Sequence, residues 1–310
     1  MRIYILLTAF CYAAALFGQN EPQRFPFSYD SFLIIAEGII NDSIKAKFCL
    51  DTGATDISLS EELVEKYAIN KKELEYSPFF GGGAGNDSAK VKVAFEKINY
   101  KIANETLTNS IYKVYKNLSE DVLVGIEPKD LFTFEIYYDK KEFRLYKGQA
   151  KMDFDKSWTR IKYKNHLTKI TIPLKVKIGK KTISGDFLLD TGSGHAILFT
   201  GKTAEKYKLN QMNVRKWKAE LGLSGKSEGG TIQSESIQLG ENKFDNVDIH
   251  YFNDQQGALS DGYFYIGVLG NRVLEKFDVI IDYVKEYVYI RPNSLYNTPI
   301  ITTSNRLNYE

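Results

Sequence analysis

The sequence predicts an all-β protein with two similar β-barrel-like lobes, related by a pseudo-twofold axis and carrying one short helix each. The 310 residues include 21 Tyr and 19 Phe, a composition that favours strands. One long pattern also occurs twice: residues 47–70 read KFCLDTGATDISLSEELVEKYAIN, and residues 186–210 read DFLLDTGSGHAILFTGKTAEKYKLN. A repeat of this size indicates a duplicated structural unit.

The repeat continues after these segments. A glycine-rich stretch follows each Asp-Thr-Gly at 79–86 and 221–230. Two apolar stretches ending in glycine, VLVG at 122–125 and IGVLG at 266–270, come next. Each is followed by an alternating aromatic run, FEIYYDKKEFRLY or FDVIIDYVKEYVYI, which predicts a strand, a tight turn and a second strand.

These matching segments define the domain organisation. We predict an N-terminal lobe at 28–150, a linker of mixed charge at 151–164, a C-terminal lobe at 165–294 and a peripheral tail at 295–310. Because both lobes belong to one chain, we expect a monomer.

Two short helices are predicted at equivalent places, 59–69 and 201–209. Ser58 and Glu61 have the spacing of a capping box at the start of the first helix. The rest of the chain reads as strand and turn.

Residues 1–18 predict an export signal. Arg2 precedes an apolar run at 3–17, and small residues precede Gln19, which is the order typical of a secretory signal peptide. The run is short for a membrane span and no cationic segment follows it. We therefore expect removal of 1–18, no stable membrane anchor, and a periplasmic or secreted protein.

Charge, cysteine and histidine content exclude other classes. A formal net charge of +2 gives no attraction to nucleic acid. Signal removal would leave Cys49 as the single cysteine, which excludes an internal disulfide and fits a bacterial envelope protein. Cys49 lies in an apolar run and is interpreted as an inert core residue. His166, His195 and His250 are scattered, so we expect no metal site and no cofactor.

The two Asp-Thr-Gly triplets are the candidate catalytic residues. One copy arises by chance in about one chain of this length in twenty, and alone it would indicate an ordinary turn. Here Asp51 and Asp190 occupy matching positions of a repeat, each between apolar runs. Such flanks place a carboxylate in poorly hydrated surroundings, where burying a charge is costly. This cost favours a catalytic function.

With these motifs the sequence resembles the aspartic proteases, both the two-lobed pepsin-like enzymes and the dimeric retroviral ones. The resemblance covers nearly the whole chain after residue 18, although the disulfides of pepsins are missing and the lobes are short. The matching residues are Asp51-Thr52-Gly53-Ala54, Asp190-Thr191-Gly192-Ser193, both glycine-rich segments, Gly125 and Gly270.

The resemblance implies a bilobal aspartic-protease fold and hydrolysis of peptide bonds in a peptide or protein substrate. It implies that Gly53 and Gly192 let the two loops approach. It also implies that the hydroxyls of Thr52 and Thr191 form hydrogen bonds across to the opposite loop. The two carboxyls would share one proton and activate a water molecule.

The loops differ at one position, where Ala54 in the first lobe corresponds to Ser193 in the second. In the family, a hydroxyl at this position supports the adjacent carboxylate. We therefore expect Asp190 to be the more acidic partner and Asp51 to carry the shared proton more often. We also expect activity at mildly acidic pH.

The first glycine-rich loop is a candidate flap that covers the substrate; an ordinary hairpin turn is the alternative. The candidate flap residues are Phe80, Gly81, Gly82 and Gly83.

Two further functions stay open at this point. The chain could be a binding module that keeps the scaffold without activity, although such a protein is expected to lose one of the triplets. It could also be a carbohydrate-binding or adhesive β-protein, which usually has clustered tryptophans. Trp158 and Trp217 are the only two here.

Overall fold

The computed structural model describes residues 21–70, 74–77, 91–127, 132–147, 154–212, 214–223, 225–253, 259, 264–301 and 308–309. The export signal at 1–18 and the candidate flap residues Phe80, Gly81, Gly82 and Gly83 lie outside the described residues. Within these ranges, no helix is both long enough and apolar enough to cross a membrane.

The first half of the chain forms thirteen of the described strands. In chain order, β1 to β13 are Gln23–Pro26, Ser28–Asp30, Leu33–Ile40, Ile44–Asp51, Ile57–Ser60, Glu75–Ser77, Val91–Ala94, Ile98–Ile102, Glu105–Asn109, Tyr112–Tyr115, Val122–Gly125, Phe132–Tyr137 and Glu142–Lys147.

The second half of the chain forms fourteen of the described strands. In chain order, β14 to β27 are Thr159–Lys162, Lys164–His166, Lys169–Ile178, Lys181–Leu189, Ile197–Phe199, Arg215–Gly222, Gly225–Gln233, Ser236–Leu239, Asn242–Asp245, Asp248–Phe252, Gly267–Leu269, Phe277–Asp282, Tyr287–Pro292 and Asn308–Tyr309.

Three short α-helices are described: α1 at Glu61–Tyr67, α2 at Gly201–Lys206 and α3 at Asn271–Leu274. The first two match the predicted helices, and α3 was not predicted. Their caps are equivalent, because Ser60 Oγ accepts the N–H of Leu63 at 3.2 Å and Thr200 Oγ1 accepts the N–H of Thr203 at 3.2 Å.

The predicted capping box at the first helix is wrong. The helix N-cap is Ser60, two residues after Ser58. Ser58 lies inside β5, paired with Lys113 on one side and Leu123 on the other. Its backbone is therefore committed to the sheet and cannot start a helix.

Each lobe has its own large sheet with the same central strand order. In the first lobe, β4 pairs in parallel with β11, which pairs antiparallel with β5, which pairs in parallel with β10. In the second lobe, β17, β24, β18 and β23 repeat this order and these directions. The sequence repeat is therefore a structural repeat, and the prediction of a two-lobed all-β fold is confirmed.

A third sheet of six strands joins the lobes, in the order β1-β13-β12-β25-β26-β14. Its centre is the antiparallel pair of β12 with β25, in which Ile136 lies opposite Val279. The hairpins β12–β13 and β25–β26 are those predicted from the aromatic runs. Segment 151–164, predicted as a linker, contains the edge strand β14 of this sheet.

The core is continuous from one lobe to the other through this joining sheet. Phe134 stacks on Phe143, with ring centroids 5.4 Å apart, and meets Tyr283 of the second hairpin edge-on at 5.5 Å. Cys49 is buried in the first lobe, and burial raises the pKa of its thiol well above the usual range. Both observations agree with its interpretation as an inert core residue.

The tail after 294 starts against the second lobe. The ring of Tyr296 packs on Phe244 and Phe277, with centroids 5.4 and 5.6 Å away. The buried ammonium of Lys276 donates to Thr298 Oγ1 at 2.8 Å and to the carbonyl oxygen of Pro299 at 3.2 Å.

Candidate active site

The two candidate carboxyls stand at equivalent strand ends. Asp51 is the last residue of β4, and its carbonyl oxygen accepts the N–H of Ile126 at 3.0 Å. Asp190 directly follows β17, and its N–H donates to the carbonyl oxygen of Leu269 at 3.1 Å. In each lobe, a hydrogen bond to the neighbouring apolar-apolar-Gly segment therefore fixes the start of the Asp-Thr-Gly loop.

Hydrogen bonds between the lobes cross at the two threonines. The hydroxyl of Thr52 donates to the carbonyl oxygen of Leu189 at 2.8 Å and accepts the N–H of Thr191 at 3.1 Å. Reciprocally, the hydroxyl of Thr191 donates to the carbonyl oxygen of Leu50 at 2.7 Å and accepts the N–H of Thr52 at 3.1 Å. The four bonds connect the two Asp-Thr-Gly loops symmetrically.

The glycines of both triplets make room for the opposite carboxyl. A Cβ atom at Gly53 would lie 2.5 Å from Cγ of Asp190, and one at Gly192 would lie 2.3 Å from Cγ of Asp51. Any other residue would push the carboxyls apart. With glycine at both places, the side chains of Asp51 and Asp190 form a hydrogen bond with each other.

Two more glycines allow neighbouring strands to pack closely against the loops. A Cβ at Gly125 would lie 2.8 Å from the carbonyl oxygen of Ala54, and one at Gly270 would lie 2.3 Å from that of His195. These are the last residues of the apolar-apolar-Gly motifs, so the repeated glycines serve close backbone packing.

Burial raises the pKa of both carboxyls, and the negative charge of Asp51 raises that of Asp190 further, well above its usual range. The backbone favours charge on Asp51, whose Oδ1 accepts the N–H groups of Gly53 at 2.6 Å and Ala54 at 3.1 Å. Asp190 Oδ1 accepts the N–H of Gly192 at 2.8 Å. Since hydrogen bonds to a carboxylate favour its charged form, Asp51 is the more acidic partner.

This order reverses the sequence-based expectation, which depended on Ser193. The hydroxyl of Ser193 is buried and has no hydrogen-bond partner among the described residues, so it does not support Asp190. It points instead toward Gly270, where a Cβ would lie 2.9 Å from it. The backbone N–H of Ala54 gives Asp51 the second bond that a side chain was expected to give Asp190.

Sequence reasoning missed Asn271, a fully buried residue that bridges the two lobes next to Thr191. Its amide nitrogen donates to the carbonyl oxygens of Thr191 and Phe32, both at 2.7 Å, and its amide oxygen accepts the hydroxyl of Tyr138 at 2.7 Å. It follows Gly270 directly, but its first-lobe counterpart is an isoleucine, so the repeat gave no signal for it.

The three histidines pack against other aromatic rings. The ring of His195 packs edge-on against the buried ring of His250, with centroids 4.9 Å apart, and His166 stacks on Phe264 at 4.0 Å. In the part of the chain that the structure describes, no three His, Cys, Asp or Glu side chains come together in a way that could hold a metal ion.

The second glycine-rich segment forms the hairpin β19–β20, in which Trp217 lies opposite Gly229. A Cβ at Gly229 would lie 2.0 Å from the carbonyl oxygen of Tyr251 on the neighbouring strand β23. This glycine therefore permits tight packing of the hairpin on the sheet. It does not mark a mobile turn.

Two similar all-β lobes that each contribute a carboxyl to one buried pair are typical of the aspartyl proteases. The chain belongs to the aspartyl protease family. The family model for aspartyl proteases matches it twice, at residues 36–127 and 174–273, which together make up more than half of the chain. The two matches correspond to the two lobes.

A solved structure has a similar fold. The crystal structure of an aspartic proteinase from Irpex lacteus superposes with a TM-score of 0.54, covering 90% of this chain and 99% of that one. Sequence identity is 11%, so the likeness concerns the fold alone. No curated protein sequence matches this chain.

We expect Thr52→Val to destabilise the protein while keeping the shape of the side chain. The carbonyl oxygen of Leu189 and the N–H of Thr191 would lose their buried partners. Since an unpaired buried polar group costs about 1–3 kcal/mol, the free energy of unfolding should fall by roughly 2–4 kcal/mol. Urea denaturation measures this, with the exposed Thr182→Val as matched control. Equal effects of the two substitutions would contradict a structural role for the crossed bonds.

We expect Asp190→Asn to change how stability depends on pH. The folded wild type keeps a proton that the unfolded chain releases near pH 3.9, so its stability falls as pH rises from the unfolded pKa toward the raised folded pKa. The variant lacks this carboxyl. Its free energy of unfolding relative to wild type should therefore increase as the pH rises above about 4, the unfolded pKa. Denaturation at several pH values tests this, with the exposed Asp245→Asn as control. A difference independent of pH would refute it.

Proposed function

We propose that the protein is an aspartic endopeptidase in which Asp51 and Asp190 together activate one water molecule for attack on a peptide bond. One observation carries the proposal: two buried carboxyls, one from each lobe, hydrogen-bond to each other in a site built from crossed threonines and facing glycines. Such a pair holds a single proton at moderate pH, because two adjacent carboxylates repel each other.

The order of acidity suggests a role for each carboxyl. Ionised Asp51 takes a proton from the water, whose oxygen attacks the peptide carbonyl carbon, while Asp190 gives its proton to the carbonyl oxygen. The tetrahedral intermediate then breaks its C–N bond. Asp51 passes the proton it gained to the leaving nitrogen, and Asp190 takes back a proton from the intermediate's hydroxyl. The enzyme returns to its starting state.

The same pair sets the pH range of activity. Hydrolysis needs one carboxyl ionised and the other protonated, so the working range lies between the two macroscopic pKa values of the pair. Burial raises both carboxyl pKa values. We therefore expect a maximum at mildly acidic pH, with activity extending toward neutral.

Replacing either Asp51 or Asp190 by Asn should abolish hydrolysis and leave the fold intact. Asn keeps the side-chain shape but cannot share or transfer the proton, and removing one member of a joint catalytic pair costs about a thousandfold or more in kcat/KM. The measurement is peptide hydrolysis combined with a thermal melt that shows folding. Asp245→Asn, which changes an exposed residue of β22, is the matched control. Substantial turnover by either catalytic variant would disprove the two-carboxylate mechanism.

A mixed peptide library separates this function from the alternatives. Cleavage that a hydroxyl-containing transition-state mimic blocks, and that chelators and thiol reagents leave unchanged, supports an aspartic endopeptidase. Peptide binding without cleavage would indicate a binding module. Binding of glycans without effect on peptides would indicate a carbohydrate-binding protein.

We also propose that the protein is exported and acts as a monomer in the periplasm or outside the cell, since 1–18 reads as a signal peptide and one chain supplies both carboxyls. Expressed in a bacterial host, the protein should be recovered outside the cytoplasm with an N-terminus near Gln19. N-terminal sequencing after fractionation tests this, with a chain lacking 2–18 as the control that stays in the cytoplasm. Recovery of protein that starts at Met1 would contradict export.

A further inference from the structure

Lys169 is the first residue of β16, beside the second catalytic loop. In the antiparallel ladder of β16 with β17, Thr171 lies opposite Leu188. The paired part ends there, and the same register continued for two residues, one residue past the end of β17, puts Lys169 level with Asp190. Residues opposite each other project to the same face, with Cβ atoms about 5 Å apart. The lysine side chain therefore starts next to the catalytic carboxyl.

This face of β16 runs from solvent into the junction of the lobes. Pro173, Lys175 and Lys177 on the same face are exposed, Thr171 is fully buried, and Lys169 at the end is half-buried. The positive charge of Lys169 lowers the pKa of both Asp51 and Asp190, although burial outweighs it. Its ammonium thus acts on the two carboxyls from the partly open end of this face.

The ammonium of Lys169 is available to a ligand. Its neighbour Lys164 is held by Asp186, with Nζ 2.6 Å from Oδ2. Among the residues that the structure describes, none accepts a hydrogen bond from Lys169 or forms an ion pair with it. A half-buried cation without a direct partner is a strong site for an anionic group, because little water competes for it.

The first lobe has no such charge at the equivalent place. In the ladder of β3 with β4, Ile35 lies opposite Cys49, and two more residues along this register place Leu33 opposite Asp51. Leu33 is buried and packs with Ile35 and Cys49. The two sides of the carboxyl pair therefore differ, with an apolar side in the first lobe and a cationic side in the second.

We propose that Lys169 is a specificity-determining residue that selects peptide substrates with an aspartate or glutamate next to the scissile bond, on the side of the second lobe. The inference rests on the endopeptidase function proposed above. Lys169 would pair with the substrate carboxylate without taking part in the transfer of protons.

The test uses peptide sets that differ only in Glu, Gln or Lys at each position within two residues of the cleaved bond. Assays at about pH 5.5 keep the Glu side chain ionised. Wild type should cleave one Glu peptide at least about tenfold faster in kcat/KM than its Gln partner. Lys169→Met should abolish this ratio, Lys169→Arg should retain it, and Lys169→Glu should favour the Lys peptide.

Using the Glu-to-Gln ratio removes any general effect of Lys169 on the catalytic pair, since such an effect slows both peptides equally. Lys175→Met, on the exposed part of the same strand face, is the matched control and should keep the wild-type ratio. A ratio near one in wild type, or a ratio unchanged in Lys169→Met, would overturn the inference while hydrolysis itself stands.

A binding measurement separates this inference from the catalytic mechanism. In the inactive variant Asp51→Asn, the Glu peptide should bind more tightly than the Gln peptide, and adding Lys169→Met should remove the difference. Fluorescence anisotropy with labelled peptides reports this without turnover. Equal affinities for the two peptides in Asp51→Asn would overturn the role of Lys169. If the wild type hydrolyses none of the peptides while Asp51→Asn keeps the affinity difference, the proposed catalysis is overturned and the role of Lys169 stands.

Discussion

The crossed hydrogen bonds of Thr52 and Thr191 hold the Asp-Thr-Gly loops of the two lobes against each other. Each hydroxyl donates to a carbonyl oxygen of the other lobe and accepts an N–H from the other threonine. The four residues that take part, Leu50, Thr52, Leu189 and Thr191, are all buried, so breaking the junction would leave several polar groups unpaired. Because these groups must stay paired, the two Asp-Thr-Gly loops lie close together, and so do the two carboxyls.

The close approach determines the electrostatics of the site. Because Gly53 and Gly192 carry no Cβ, each carboxyl lies against the backbone of the opposite loop. Burial then raises the pKa of both carboxyls. The second backbone N–H bond to Asp51 favours its charged form and makes it the more acidic of the two. A nearly symmetric scaffold thus carries two chemically different acids, and Lys169 adds a second asymmetry beside Asp190.

The joining sheet and Asn271 also fix the position of one lobe relative to the other. The pair of β12 with β25 makes one continuous core from the two halves. Asn271 then connects the carbonyl oxygens of Thr191 and Phe32 with the hydroxyl of Tyr138, all within a buried space. Movement of one lobe against the other would therefore disrupt both the apolar core and a satisfied polar network.

The sequence by itself determined the two-lobed all-β fold, the position of the two predicted helices and the choice of Asp51 and Asp190. Repeats, strand alternation and triplet motifs are patterns of residue types that can be read directly along the chain. The tertiary structure decided which partner each polar group meets. The cap at Ser60, the hydroxyl of Ser193 without a partner among the described residues, and the bridge at Asn271 all depend on strand register and contacts between lobes. Such contacts join residues far apart in sequence, and no local pattern encodes the distance between them.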